Sequence, residues 1–86
     1  MPKPWGENGE KNLIALRLKD LRERKGLSQR ALANQLQLRG VDMDKNVITR
    51  IETNKRFVSD LELRAIAAIF NVSYDYLLDG KGNGKY

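Results

Sequence analysis

The sequence predicts an all-α fold, a compact bundle of five short helices. Apolar residues recur at three- and four-residue intervals across residues 13–79, which is the spacing of one face of a helix. Residues that favour helix N-caps precede these stretches, and no strand-like alternation extends beyond a few positions. Prolines and glycines are frequent in residues 1–12, and glycines in residues 80–86. We therefore expect one domain at 13–79, with a flexible N-terminal arm and a flexible C-terminal tail.

The first two predicted helices are bounded by glycines and by one serine. The first helix is predicted at residues 13–25, because Gly26 can adopt the left-handed conformation that ends a helix. Its buried face carries three aliphatic residues: Ile14, Leu18 and Leu21. The second helix starts at Ser28, a good N-cap, and is expected to extend as far as Gly40. Its buried residues are Leu32, Ala33 and Leu36.

The third predicted helix is short and covers residues 45–53. Asp44 is its N-cap, and Asn54 can take the left-handed position that ends it. Three apolar residues recur on one side of this helix: Val47, Ile48 and Ile51. The sequence therefore predicts a helix that buries one face and leaves a polar face free.

The last two predicted helices each follow a serine. The fourth opens with a capping box, in which Ser59 and Glu62 satisfy each other's backbone N–H groups. Its buried stripe is formed by Leu63, Ile66, Ala67 and Phe70. The fifth helix is a turn or two after Ser73. Two leucines on it are expected to close the core: Leu77 and Leu78.

The residue composition argues against catalysis. The chain contains no cysteine and no histidine, which removes disulfides, structural zinc sites and catalysis by Cys–His or Ser–His pairs. A calcium loop starting at Asp42 is also excluded, because Val47 and Thr53 stand where glycine and glutamate are required. We therefore expect no enzyme activity, no metal and no cofactor.

The net charge of +5 is concentrated in two stretches. Residues 17–30 carry six cationic and two acidic side chains, and residues 44–56 carry four and two. Such local excess is typical of proteins that bind a polyanion, although a solvated charged face is the alternative interpretation. No apolar stretch approaches the roughly 20 residues that span a bilayer, and the N-terminus lacks the apolar core of a signal peptide. We expect a cytoplasmic protein that does not enter membranes.

The polar face of the third helix carries hydrogen-bond donors. Its four polar residues are Lys45, Asn46, Thr49 and Arg50. Ala33 is small enough to let the third helix cross the second closely. A helix of this kind can enter the major groove of DNA, which is about 12 Å wide, and present its donors to base edges.

Three stretches carry a family resemblance: LKDLRERKGLSQRALANQL, VITRIETNKR and AIAAIFNVSYDYLL. Their motifs agree in order and spacing with the phage-repressor (Xre or Cro type) helix-turn-helix family, which the sequence resembles over about residues 13–79. The resemblance implies a lambda-repressor-like DNA-binding domain. It also implies that the chain binds specific double-stranded DNA operators and regulates transcription, foremost as a repressor. One departure is the connection at residues 37–43, which is longer than the family's usual turn.

The resemblance also implies the roles of individual residues. Base contacts are expected from Lys45, Asn46 and Arg50, while Thr49 suits a phosphate or a thymine methyl group. Contacts to the sugar-phosphate backbone are expected from Gln29, Lys55 and Arg56. For Gln29 and for the four residues of the third helix, the alternative interpretation is an ordinary solvated polar group.

A structural ion pair and two tail aromatics complete the predicted features. The resemblance implies that Arg22 and Glu52 pair and tie the first helix to the end of the third, the alternative being two independent surface charges. Trp5 and Tyr86 fall in the predicted arm and tail, where Trp5 could pin the arm but a disordered arm is the favoured interpretation. The pair of Arg22 with Glu52 would be structural rather than part of DNA recognition.

The sequence is compatible with two functional classes. The favoured hypothesis is a regulator that binds a two-fold operator as a homodimer through helix five and the tail. The alternative is an antitoxin or adaptor module on the same fold, with a protein partner. The donors at residues 45–50 favour DNA binding, because an adaptor does not need them. A small hydrolase or nuclease is disfavoured, because the sequence lacks a clustered acid pair, a nucleophile or a metal set.

Overall fold

The computed structural model describes residues 10–81 of the chain. This range contains five α-helices and no strand, which confirms the predicted all-α fold. The helices are α1 (Ala15–Arg24), α2 (Gln29–Leu38), α3 (Lys45–Glu52), α4 (Asp60–Phe70) and α5 (Tyr74–Asp79). None of the described helices combines the length and the apolar character needed to cross a membrane. Trp5 and Tyr86 lie outside the described residues, as do residues 1–9 of the predicted arm and residues 82–86 of the predicted tail.

Four of the five helices begin at a side-chain cap. The capping oxygens belong to Ser28, Asp44, Ser59 and Ser73, each accepting from a backbone N–H in the first helical turn. Such a cap satisfies one of the N–H groups that a helix start leaves without an intrahelical partner. Helix α1 differs, because its N-cap Ile14 has no side-chain oxygen. There Asn12 Oδ1 accepts from Ile14 N at 3.1 Å, and the helix starts two residues later than Leu13, the predicted first residue.

The connection between α2 and α3 is a defined structure. Gly40 adopts a left-handed φ of +81°, so that Val41 N can donate to Leu36 O at 2.9 Å and end α2. The chain then turns back and inserts Met43, which is 1% exposed, into the core. Gln37 Nε2 donates to Met43 O at 2.8 Å and holds this insertion. The longer connection thus supplies a core residue and leads directly into the N-cap of α3.

The core lies where α1, α2, α3 and α4 meet, with α5 closing one side. Its fully buried side chains are Ile14, Leu18, Leu32, Leu36, Met43, Ile48, Ile51, Ile66 and Leu77. Four residues predicted to be buried lie instead at its edge, partly exposed: Val47, Leu63, Phe70 and Leu78. Ala33 is 2% exposed, and α2 packs closely on α3. The small side chain lets the two helices approach.

Two cations, one on α1 and one at its C-cap, bind the last two helices near their ends. Arg17 Nη1 donates to Leu77 O at 3.1 Å, within the last turn of α5. Lys25 Nζ donates to Ile69 O at 2.9 Å, near the end of α4, and lies 5.8 Å from the centre of the Phe70 ring. A positive charge at a helix C-terminus is favourable, because the last carbonyls carry partial negative charge. Much of the basic stretch at residues 17–30 therefore serves the fold.

The segment before α1 is attached to the end of α3. Asn54 has a left-handed φ of 59°, and its side-chain oxygen accepts from Lys11 N at 2.7 Å. Asn12 Nδ2 donates to Ile51 O and to Arg56 O, both at 3.0 Å. Two residues that the sequence assigns to the arm are therefore hydrogen-bonded to the domain.

Candidate nucleic-acid interface

Helix α3 separates apolar and polar residues between two faces. Ile48 and Ile51 are 0% exposed and pack into the core. The polar side chains on the other face are exposed, apart from a half-buried Thr49; they are Lys45, Asn46, Thr49 and Arg50. Asp44 Oδ1 accepts from Val47 N at 2.9 Å and fixes the start of the helix. The helix is thus held by one face and presents the other to solvent.

Three side chains on the exposed face of α3 are free of protein partners. Within residues 10–81, the side chains of Lys45, Asn46 and Arg50 make no hydrogen bond or ion pair. Together they offer an ammonium, an amide and a guanidinium group, which are the donors that pair with guanine and adenine edges in the major groove. This face therefore retains its hydrogen-bonding capacity for a ligand.

Helix α2 contributes two further residues to this surface. A cleft of about 420 Å³ separates α2 from the start of α3, and Arg30 and Asn34 line it opposite Lys45 and Asn46. Arg30 and Asn34 are absent from the site residues predicted from the sequence. Their four-residue spacing, on a face that excludes the buried residues of α2, is the signal that could have identified them. The candidate interface thus includes residues of α2 as well as α3.

Gln29 is bound within the protein at both ends of its side-chain amide. Its Oε1 accepts from Thr49 Oγ1 at 2.9 Å, and its Nε2 donates to Glu52 Oε1 at 3.1 Å. The first residue of α2 is therefore linked to two successive turns of α3. In this arrangement the amide of Gln29 holds α3 against α2.

Arg22 and Glu52 form a buried bidentate ion pair. Arg22 Nε lies 2.6 Å from Glu52 Oε2, and Nη2 lies 3.1 Å from Oε1. The side chains are 11% and 3% exposed, and Arg22 Nη1 also donates to Leu27 O at 2.8 Å. The hydrogen bond to Glu52 outweighs burial and raises the pKa of Arg22. The pair joins α1 to the last turn of α3, as the sequence resemblance implies.

Lys55 and Arg56 follow α3 but differ in their surroundings. Lys55 is exposed, and its side chain has no partner among the described residues. Arg56 instead forms a bidentate pair with Glu62, with nitrogen–oxygen distances of 2.9 and 3.0 Å. Burial by itself raises the pKa of Glu62. The hydrogen bonds from Arg56 and Ser59, together with the positive charge of Arg56, outweigh burial and lower the pKa below its ordinary value. The charge of Arg56 is therefore already balanced, whereas that of Lys55 is not.

The uncompensated charge of the interface is positive. Arg30, Lys45, Arg50 and Lys55 are exposed cations without an acidic partner in the described part of the chain. Arg22, Arg24 and Arg56, by contrast, are each paired with a carboxylate. Cations free of partners can release counterions from a nucleic-acid backbone, which favours binding of a polyanion to α2, α3 and the segment after α3.

Comparison with known protein families gives one match that covers most of the chain. A family model described as a helix-turn-helix domain matches residues 16–83. This range includes α1 to α5 almost completely. A search of curated proteins found no match.

We expect the Arg22–Glu52 pair to be strongly coupled in its contribution to stability. Arg22→Ala leaves Glu52 buried without its charge partner, which costs about 3–5 kcal/mol of unfolding free energy. A double-mutant cycle with Glu52→Gln, measured by denaturant unfolding, gives the coupling. The matched control is the exposed pair of Arg24 and Asp20, in which Arg24 Nε lies 3.1 Å from Asp20 Oδ2. We expect the coupling energy of this pair to be about 0–1 kcal/mol. Equal coupling in the two cycles would contradict a structural role for the buried pair.

We expect Glu62 to contribute stability that acid removes. Because the folded-state pKa of Glu62 is lowered, its contribution is complete above the unfolded pKa and is lost as pH falls through the folded pKa. Glu62→Gln, which preserves an oxygen for the capping box, should therefore be less stable than the wild type at pH values above the unfolded pKa of a glutamate, and should approach the wild type as the pH falls through the lowered folded-state pKa. Denaturant unfolding across this pH range measures the difference. Asp42→Asn, which removes an exposed carboxylate, is the control; a gap for Glu62→Gln that is independent of pH would contradict the assignment.

Proposed function

Because this chain belongs to the helix-turn-helix domain family, we propose that it binds a specific sequence of double-stranded DNA and regulates transcription. The observation that carries the proposal is the exposed face of α3. On its apolar side Ile48 and Ile51 are fully buried, while on the other side Lys45, Asn46 and Arg50 have no partners in the described protein. An amphipathic helix of this kind fits the major groove, where base edges expose acceptors.

The proposed base contacts follow from the chemistry of each side chain. Arg50 and Lys45 are assigned to guanine, because their N–H groups can donate to both O6 and N7. Asn46 is assigned to adenine, to which an amide can both donate and accept. Thr49 shares its hydroxyl with Gln29 and has a methyl group that suits a thymine methyl.

The proposed backbone contacts flank α3 on both sides. Lys55 supplies an uncompensated charge after α3, and Arg30 supplies one from α2. Gln29, at the N-terminus of α2, lies where free backbone N–H groups favour a phosphate, although its own amide also holds Thr49. Arg56 is the weaker contact, because Glu62 already balances its charge. These contacts position the domain and carry no direct sequence information.

We further propose a repressor that acts as a homodimer in the cytoplasm without a cofactor or enzyme activity. A single α3 contacts about half of a typical operator, and a two-fold dimer doubles both the contact area and the specificity. We assign the dimer contact to α5 and the C-terminal tail, since α2 and α3 are occupied by DNA. An antitoxin or adaptor on the same fold is the alternative, but it does not require the unpartnered donors of α3.

Selection of bound sites from random duplex DNA tests the proposal directly. We expect one enriched motif with two-fold symmetry, whose half-sites are separated by about 10–10.5 base pairs or a multiple of this. Sedimentation of the protein, free and bound to the selected site, measures the stoichiometry. A failure to enrich any motif would contradict sequence-specific binding. A single half-site bound by a strict monomer would contradict only the dimer.

We expect Arg50 and Lys55 to affect DNA binding in different ways. Arg50→Ala should cost about 1–3 kcal/mol of binding free energy and relax specificity at one position of the site, because a base contact is lost. Lys55→Ala should weaken binding to all duplexes about equally and reduce the salt dependence by about one ion, because a phosphate contact is lost. Binding to the selected site, to single-base variants and to unrelated DNA, each over a salt series, separates the two effects.

Arg64 on α4 provides the control for these measurements. It is also exposed and has no ion-pair partner among the described residues, but it lies outside the proposed interface. Arg64→Ala should therefore leave both affinity and specificity close to those of the wild type. Identical behaviour of the Arg50 and Lys55 variants on every duplex would reduce the protein to a non-specific basic domain. Unchanged affinity in both variants would favour the interaction-module alternative.

A further inference from the structure

An apolar cleft of about 730 Å³ lies on the side of α1 that faces the end of α3 and α5. Its apolar wall is formed mainly by Leu13, Leu16 and Leu78. Leu16 is 81% exposed and Leu13 is 50% exposed, although both are large aliphatic side chains. Thr53 and Asn54, at the C-terminal end of α3, form part of the opposite wall.

Leu13, Leu16 and Leu78 are grouped around one cleft, and this grouping needs an explanation, whereas a single exposed leucine does not. Single apolar residues are common on protein surfaces, whereas apolar residues grouped around a concave site offer a place where an apolar side chain can dock. Leu38 illustrates the ordinary case, because it is 87% exposed and does not line this cleft. The cleft therefore offers apolar area that a suitable side chain could cover.

The course of the chain indicates which side chain that is. Glu10 and Asn12 line the cleft, and the hydrogen bonds from Lys11 N and Asn12 N to Asn54 Oδ1 hold the chain at its rim. Nine residues precede Glu10, and they include Trp5, the single tryptophan of the sequence. An extended chain spans at most about 3.3–3.6 Å per residue, so Trp5 can reach any point within about 17 Å of Glu10. Because Glu10 itself lines the cleft, the cleft lies within this distance.

We propose that the side chain of Trp5 docks in this cleft and attaches the N-terminal segment to α1 and to the end of α3. Tryptophan is suited to the site, because it combines a large apolar surface with one N–H donor. The apolar wall of leucines fits its ring, and the oxygens of Asp20 and Thr53 on the cleft wall can accept from its indole nitrogen. The family match begins at residue 16, so Trp5 lies outside the matched range, whereas most residues that line the cleft lie within it.

Fluorescence of Trp5 tests the proposal without any dependence on DNA binding. Because the chain has one tryptophan, its emission, excited selectively over the three tyrosines, reports this residue alone. In the full chain we expect emission shifted to shorter wavelength than that of N-acetyltryptophanamide, and acrylamide quenching several-fold weaker. Leu16→Gln should move both properties towards those of the free compound. Leu38→Gln, a matched change at an equally exposed helical leucine, should leave them unchanged.

Circular dichroism verifies that the variants keep their helices, which we expect because Leu16 contributes little to the core. Leu13→Gln, a second change in the cleft, should cause the same loss of protection, that is, emission at longer wavelength and stronger quenching of Trp5 by acrylamide. Emission and quenching equal to those of the free compound in the wild type would overturn the proposal. So would protection that persists in both cleft variants, or that is lost equally in Leu38→Gln. Protection that appears only with rising protein concentration would overturn it in favour of a second copy of the chain.

Discussion

The arrangement of the first three helices depends on a buried ion pair. Arg22 on α1 and Glu52 at the end of α3 are joined by two hydrogen bonds, and Gln29 on α2 adds a third to the same carboxylate. A buried carboxylate needs such partners, because desolvation of a lone charge costs more than packing alone recovers. The three donors come from α1 and α2, so satisfying Glu52 fixes the position of α3 relative to both helices. The same amide of Gln29 then reaches Thr49 on the candidate DNA-binding face.

Three cations of α1 and its C-cap make contacts inside the domain. Arg17 and Lys25 bind carbonyls near the ends of α5 and α4, and Arg22 binds Glu52. Each contact compensates an excess of negative charge, either a carboxylate or the C-terminal end of a helix. The cations of α2 and α3 have no such role in the described protein. The charges of Arg30, Lys45 and Arg50 are therefore left without an acidic partner on α2 and α3, where the candidate interface lies.

The fold and much of the candidate site follow from local patterns in the sequence. Helix caps, the left-handed residues that end helices and the apolar stripes all act within a few residues along the chain, where the geometry of one helix determines which side chains share a face. For that reason the sequence predicts the five helices, and it also predicts which side chains of α3 are exposed hydrogen-bond donors. It does not identify Met43 as a core residue, because an apolar residue in an irregular connection has no periodicity to reveal its burial.

Contacts between distant residues were decided by the tertiary structure. The amide of Gln29 meets a threonine 20 positions away, and Asn12 bonds to a carbonyl 44 positions away. No local pattern indicates such partners, because they depend on how the helices pack. The Arg22–Glu52 pair, 30 positions apart, is predicted only through a family resemblance. The sequence by itself determined the helices and their exposed chemistry. Only the packing decided which polar groups the protein uses internally, because hydrogen bonds require distances that the chain order does not specify.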